Sequence, residues 1–181
     1  IEIALRKFDL PHEFPKKALA QAQGLPNSIQ EKDVQGRRDL RELDFVTIDG
    51  ETAKDFDDAV YARREGRDWR LWVAIADVSH YVRHGDALDQ EARERGTSVY
   101  FPRRVIPMLP EKLSNGLCSL NPEQDRLSMA CDMVVDAEGA ITAYQFYPAV
   151  ICSQARLTYA EVAAMLANTR GPEAQRRAEL V

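Results

Sequence analysis

The chain has 181 residues, 45% of them hydrophobic, with 24 Lys and Arg against 29 Asp and Glu and a net charge of −5. That length allows one domain, or part of one, with enough apolar residues to bury a core. The acidic balance argues against a general nucleic-acid binder, which is usually basic, and no window approaches the apolar run of a membrane span.

No signal peptide is evident, and Ile1 in place of an initiator methionine predicts a processed, cut or excised chain. Cys118, Cys131 and Cys152 are odd in number and widely spaced, with no C-x-x-C, so neither a disulfide framework nor a zinc ribbon is indicated. Apolar neighbours at Cys131 and Cys152 predict buried thiols, and a reducing cytoplasm fits.

Residues 1–5 alternate apolar and polar and predict a strand. Residues 15–23 predict a short helix, opened by Pro15 and closed by Gly24. Residues 24–36 read as a linker, and residues 1–40 together as a lead-in to a core over 41–181. Lys32, Arg37, Arg38 and Arg41 form a loose basic cluster, expected to be solvated surface rather than a phosphate contact. Strands over 43–48, 58–63 and 69–76 would make a β-meander, with Glu65-Gly66-Arg67-Asp68 as a hairpin turn. Ala87–Arg95 predicts a helix capped by Asp86 and stopped by Gly96. Residues 102–122 hold four prolines and little periodicity, the pattern of a long loop, either ordered or flexible. Residues 126–135 and 140–156 predict a long hairpin around Asp136-Ala-Glu-Gly139. Thr158-Tyr-Ala-Glu161 is a capping box opening a helix through Leu166, and residues 171–181 read as a frayed polar end. Strand runs joined by hairpins predict an α+β fold, a largely antiparallel sheet with flanking helices.

The densest chemical signal lies between the first two strands of the meander. Asp49 ends an apolar run, and Asp55, Asp57 and Asp58 follow, with Lys54 as the only cation inside the stretch. Two like charges 4 Å apart cost roughly 1 kcal/mol in water and about 4 kcal/mol near a protein surface. Such crowding is tolerated where a cation sits among the carboxylates, or where the loop is fully solvated. The first case predicts a hard divalent ion, Mg²⁺ or Mn²⁺, on oxygen ligands for phosphoryl chemistry. A calcium loop needs Gly sixth and Glu twelfth; Lys54 and Val60 occupy those places counted from Asp49, and Val60 and Gly66 counted from Asp55. A phosphatase of the haloacid dehalogenase type would have Thr or Val where Ala59 stands, directly after an apolar strand. No phosphate-cradling glycine motif occurs.

Thr47-Ile-Asp49 followed by Asp55-Phe-Asp57-Asp58 resembles the ribonuclease II/R family, processive 3′→5′ exoribonucleases, in identity and spacing. Three further segments are similar in order: residues 72–82 (Trp-Val-Ala-Ile-Ala-Asp-Val-Ser-His-Tyr-Val), residues 95–102 around Tyr100, and residues 107–122 with Ser114-Asn-Gly-Leu-Cys-Ser-Leu-Asn-Pro122. The match runs from about residue 1 to about residue 164. It implies a helix-wrapped antiparallel sheet, Mg²⁺-dependent release of nucleoside 5′-monophosphates, and the single-stranded 3′ end of RNA as partner. It also implies cold-shock domains before the catalytic domain and an S1 domain after it.

By this resemblance Asp49, Asp55, Asp57 and Asp58 map onto the family's catalytic aspartates. Asp49 and Asp58 are expected as metal ligands and Asp57 as most critical for chemistry; the role of Asp55 is the least defined. In an extended segment Asp55 and Asp57 face one side and Asp58 the other, so a turn or bulge at Asp57-Asp58 would be needed to bring Asp58 inward. Tyr100, which the sequence gives no acid–base partner, would clamp the 3′-terminal nucleotide by stacking. Phe101 is expected in the core. Asp77 and His80 are expected to be structural, and Asn115 to shape a turn. The family's later arginine-rich segment, approximately H-x-T-S-P-I-R-R-Y, does not occur, so the chain resembles the first half of that domain. An uncovered face carrying Trp72, Val73, Ile75, Val134 and the apolar side of the last helix follows from that, as does weak or absent activity of the piece alone. The rival readings are a non-catalytic RNA-binding or scaffold fragment, and a metal-dependent phosphatase or divalent-metal-binding module.

Overall fold

The computed structural model of the chain describes residues 1–176. Helices are α1 (Glu2–Lys7), α2 (Lys16–Gly24), α3 (Glu31–Val34), α4 (Val78–Tyr81), α5 (Ala87–Arg95), α6 (Tyr159–Ala167) and α7 (Pro172–Arg176), with a π-helical turn at Leu113–Leu117. Strands are β1 (Arg38–Asp39), β2 (Val46–Asp49), β3 (Asp58–Glu65), β4 (Asp68–Ala76), β5 (Val99–Phe101), β6 (Arg104–Ile106), β7 (Asp125–Val135), β8 (Ile141–Cys152) and β9 (Ala155–Thr158). Seven of them form one sheet in the order β1-β8-β7-β4-β3-β2-β9, and β5-β6 form a separate hairpin. The four central pairings are antiparallel; only the edge pairs β1/β8 and β2/β9 are parallel. The expected α+β fold with a largely antiparallel sheet and flanking helices is the one observed.

Successive side chains of a strand face opposite sides, and the registers line up two contrasting faces. Trp72, Ala74 and Ala76 of β4 lie beside Asp132, Ala130 and Ser128 of β7, all buried. Small alanines and Ser128 let α2, α5 and residues 109–120 approach closely. Ala18, Ala22, Leu88, Leu109, Leu113, Leu117 and Leu120 fill that layer. On the other face α6 and α7 cover only β2 and β9, through Met165 and Ala174 against Val46, Ile48, Ala155 and Leu157. Farther along, Ile75, Met129, Tyr144 and Phe146 remain exposed.

Local signals explain the elements. Gly66, with φ 66°, turns the chain between paired Glu65 and Asp68. Asp86 caps α5 by accepting from Asp89 N at 2.8 Å, and Gly96 ends it at φ 73°. Both arms of the Thr158–Glu161 capping box are formed.

Several expectations change. Residues 1–5 belong to helix α1, not a strand: Leu5 is its one buried residue, so the alternation marks a single packed contact. The linker holds the short helix α3, and α2 inserts two alanines into the core. Of the two alternatives for residues 102–122 the ordered one holds, with Leu113, Ser119 and Leu120 fully buried. The buried Arg126 holds them, donating from Nε to the Gly116 and Ser119 carbonyls at 3.0 and 2.8 Å. The predicted second arm of the long hairpin divides, because β9 leaves β8 to pair with β2. Trp72 faces the covered side, 4% exposed, while Ile75 is uncovered as expected. Arg37 is not solvated but paired with Asp77 at 2.6 Å. Cys118 is buried, whereas Cys131 and Cys152 are half-buried. The tail expected to fray is helical over Pro172–Arg176; residues 177–181 lie outside the described residues.

Candidate metal and nucleic-acid site

Asp49 is the last residue of β2 and Asp58 the first of β3, so the sheet fixes both ends of the acidic loop. Between them the main chain is gripped from three sides. The buried Phe56 donates its N–H to Ser119 Oγ at 3.0 Å, and its carbonyl accepts from Leu120 N at 2.8 Å. Ser119 Oγ also donates to the Lys54 carbonyl at 3.2 Å. The Asp57 carbonyl accepts from Ala76 N at 2.8 Å. On the other flank Arg156 donates to the Gly50 carbonyl at 3.1 Å and to that of Glu51, and its guanidinium lies 5.3 Å from the Phe56 ring centre.

The carboxylates themselves are much less satisfied. Asp49 accepts from Gly50 N at 2.6 Å, and Asp55 accepts from the Tyr100 hydroxyl at 2.5 Å. Asp57 and Asp58 are exposed. Crowding by surrounding protein, then the charges of Asp55, Asp58 and Asp49, push the Asp57 carboxyl above its ordinary range. Asp57 therefore senses all three other aspartates.

The four do not converge as they stand. Strand alternation puts Asp49 in line with buried Thr47, and Asp58 in line with Val60 and opposite Ile75, on the other face. β3 and β4 pair without a register shift, so no bulge turns Asp58 inward. Among the described residues, no group of three or more His, Cys, Asp or Glu side chains could hold a metal ion as placed. The donor set nevertheless suits a hard divalent cation: carboxylate oxygens only, with the Asp57 carboxyl pushed above its ordinary range by burial and then by repulsion that a cation would relieve.

Tyr100 stands on β5 and is 63% exposed, its ring open to solvent while its hydroxyl reaches Asp55. That hydrogen bond, then burial, pushes the phenol up to about 12. This partner, 45 positions away along the chain, leaves no local sequence signal. Phe101 is half-buried on the same strand. Asp77 and His80 are structural as expected. Asp77 binds Arg37 and accepts from Ser79 Oγ at 2.7 Å, while His80 Nε2 lies 3.3 Å from Asp33. The Asn115 carbonyl accepts from Asn121 within the turn after Pro110. Arg156, Ser119 and Leu120 escaped the sequence reading. Ser119 and Leu120 lie in the family-like segment 107–122, which gives neither a role of its own; Arg156 is a lone cation in the apolar run before α6, and its buried Nε has no partner among the described residues.

An aspartate-lined loop between sheet strands, flanked by an exposed tyrosine, is here set in a domain whose family model, the RNB domain, matches residues 37–180. The chain belongs to the RNB domain family. Curated relatives carry the name ribonuclease R. That of Escherichia coli (strain K12) is 59% identical over 163 residues, 90% of this chain and 20% of that protein. That of Acidithiobacillus ferrooxidans is 57% identical over 175 residues, 97% of this chain and 40% of that protein. The solved structure of Mycoplasma genitalium RNase R in complex with double-stranded RNA superposes with a TM-score of 0.86 at 38% identity, covering 92% of this chain and 30% of that one. The chain thus spans between a fifth and two-fifths of the length of these two curated relatives.

Proposed function

We propose that this chain is the aspartate-bearing segment of a Mg²⁺-dependent exoribonuclease that degrades RNA from a single-stranded 3′ end to nucleoside 5′-monophosphates. The observation that carries this reading is the crowding of Asp57 by Asp49, Asp55 and Asp58 beside the exposed ring of Tyr100. Asp49, Asp55, Asp57 and Asp58 would hold Mg²⁺, with Mn²⁺ as a substitute. When bound, such ions activate a water and stabilise the leaving oxygen. The chain's own part is to keep the carboxylates on anchored main chain. Gathering them requires side-chain rotation at the two strand ends, Asp58 foremost. Asp57, its carboxyl pushed above the ordinary range and reachable by solvent, would take a proton from water at its carboxylate oxygen. Tyr100 offers a ring on which a terminal base of any identity can stack, for about 1–3 kcal/mol.

RNA grip beyond the terminal base belongs to other parts of the parent protein, in this reading cold-shock and S1 domains, which accords with the net charge of −5. No described helix is long and apolar enough to cross a membrane, and the proposed site of action is the cytoplasm. The uncovered Ile75, Met129, Tyr144 and Phe146 lead us to expect little activity from these residues alone. The test incubates the parent protein with 3′-labelled and 5′-labelled RNA, with and without Mg²⁺. Immediate release of labelled mononucleotide from the 3′ label alone, abolished by EDTA, is the expected result. Release from the 5′ label first overturns the direction, full activity in EDTA overturns the metal, and binding without degradation favours a scaffold.

A further inference from the structure

Four aspartates and Glu51 within ten residues repel one another, so the main chain that carries them must be restrained from outside the loop. Restraint at the sheet ends fixes Asp49 and Asp58. Asp55 lies in the connecting stretch, outside both strands. Its neighbours on either side, Lys54 and Phe56, are both bonded to one atom, the hydroxyl oxygen of Ser119. Ser119 is 0% exposed. Its Oγ accepts from Phe56 N at 3.0 Å and donates to the Lys54 carbonyl at 3.2 Å, bridging across Asp55. The next residue, Leu120, donates its N–H to the Phe56 carbonyl at 2.8 Å, so both polar groups of Phe56 are fixed by two consecutive residues of one distant segment. That segment is rigid in turn: the Ser119 carbonyl accepts from buried Arg126, and Leu113, Leu117 and Leu120 are core residues.

We infer that Ser119 is a positioning residue for the aspartate site, holding Asp55 and Asp57 at a fixed spacing through the main chain on both sides of Asp55. A hydroxyl is required because one atom must accept and donate at once; alanine can do neither. Ser119 touches neither RNA nor reacting atoms. Its effect runs through where Asp55 and Asp57 can meet a cation, so it should appear in the metal requirement before it appears in RNA affinity. Outer residues that orient metal ligands typically contribute about 10–100-fold to metal affinity or activity.

The inference rests on the function proposed above, and its test separates the two. The full-length parent enzyme is compared with its Ser119→Ala and Ser119→Cys variants. Three quantities are measured: Mg²⁺ binding by calorimetry without RNA, the Mg²⁺ concentration for half-maximal degradation, and kcat and KM for a single-stranded RNA. Ser119→Ala is expected to weaken Mg²⁺ binding by about tenfold or more, raise the Mg²⁺ requirement in parallel, and lower kcat with KM for RNA little changed. Excess Mg²⁺ should recover part of kcat. Ser119→Cys, with a similar shape and a weaker donor and acceptor, should fall between. A purely structural role would lower the melting temperature and leave the Mg²⁺ affinity of the folded protein unchanged; that result overturns the inference. Should Ser119→Ala fail to fold, Ser119→Cys decides, and wild-type Mg²⁺ affinity in that variant overturns the inference. If the wild-type enzyme itself shows no Mg²⁺-dependent degradation, the function proposed above fails instead.

Discussion

Asp132 lies within the sheet and Asp57 in the loop one residue before β3, and their surroundings are opposite in kind. Asp132, 4% exposed in the middle of β7, accepts from Arg70 Nε and a second guanidinium nitrogen, each at 2.8 Å. It also accepts from Tyr147 Oη at 3.0 Å and Gln145 Nε2 at 3.1 Å. The Arg70 hydrogen bond leads the causes that hold its carboxyl below the ordinary range, against the opposing effect of burial. Arg38, 3.8 Å from the Tyr147 ring centre, closes the cluster. Asp57 sits among three more carboxylates, and burial, then their like charge, pushes it upward. A carboxylate saturated by its own chain is architecture. One left uncompensated beside three others is tuned toward something that arrives from outside. The contrast also explains an overall acidic chain in an RNA-degrading reading: the surplus charge is concentrated where a cation would bind.

The largest effect should come from removing the Asp57 charge while keeping its shape. Asp57→Asn in the parent enzyme is expected to lower turnover on labelled RNA by about 10²–10⁴-fold, the usual weight of a positioned acid or base, while RNA binding by filter retention persists. The matched change at Asp132 should do the reverse. Asp132→Ala leaves Arg70 and Tyr147 without their acceptor, and breaking a buried pair costs about 3–5 kcal/mol. Arg70, with 30% of its side chain exposed, keeps water, so about 3 kcal/mol, the low end of that range, is expected in urea unfolding. Folded Asp132→Ala enzyme should retain its Mg²⁺ requirement. A variant at Asp132 that unfolds nothing but abolishes Mg²⁺ dependence would erase the distinction.

Tyr100 sharpens the comparison at the level of single groups, because its two ends serve different partners. Tyr100→Ala removes the ring and should lengthen the shortest RNA product in the parent enzyme. Stacking worth about 1–3 kcal/mol matters most when few other contacts remain. Tyr100→Phe keeps the ring and deletes only the hydroxyl bonded to Asp55. It should leave the product length unchanged while freeing Asp55 for a cation, seen as tighter Mg²⁺ binding in calorimetry. Equal product lengths for wild type and Tyr100→Ala would remove the ring from the site.

Where the sequence was legible, the reason is local chemistry. Helix α5 was readable to the residue because its cap Asp86 and stop Gly96 act within one turn, and the hairpin at Gly66 needs only its left-handed backbone. The four aspartates stand out as crowded charge along the chain itself. What escaped depends on distance. The Ser119 hydroxyl, the Arg156 guanidinium and the Tyr100–Asp55 bond each join residues dozens of positions apart, and nothing in a serine's own neighbourhood announces that it will bridge an aspartate elsewhere. Helix α1 differs from the expected strand for the complementary reason: over so few residues, one buried Leu5 satisfies the strand and helix periods alike. The fate of Trp72 followed from which face α2 and α5 cover, a choice that strand alternation leaves open.

The smallest expected effect concerns pH, and it tests the direction of the contrast itself. Asp57 has a folded-state pKa raised above its unfolded value, which is near 3.9 in model peptides. Between those two values the folded state binds the extra proton, so the stability from this group is full at low pH and falls as pH rises through the raised value. Asp132 is depressed in the fold. Its contribution is present above the unfolded range and is lost as pH falls through the depressed value. Total stability mixes both, so the informative quantity is the difference between wild type and variant. Melting of the metal-free parent protein from pH 4 to pH 8 should show Asp57→Asn gaining on wild type as pH rises. A shift in melting temperature of about 2–4 °C is expected for each 1 kcal/mol of repulsion removed in a domain of this size. Saturating Mg²⁺ should cancel the gain, because the cation compensates the wild-type charge and has less to hold in the variant. An Asp57→Asn variant that loses ground to wild type as pH rises, without Mg²⁺, would show that Asp57 is already compensated by its own chain, as Asp132 is.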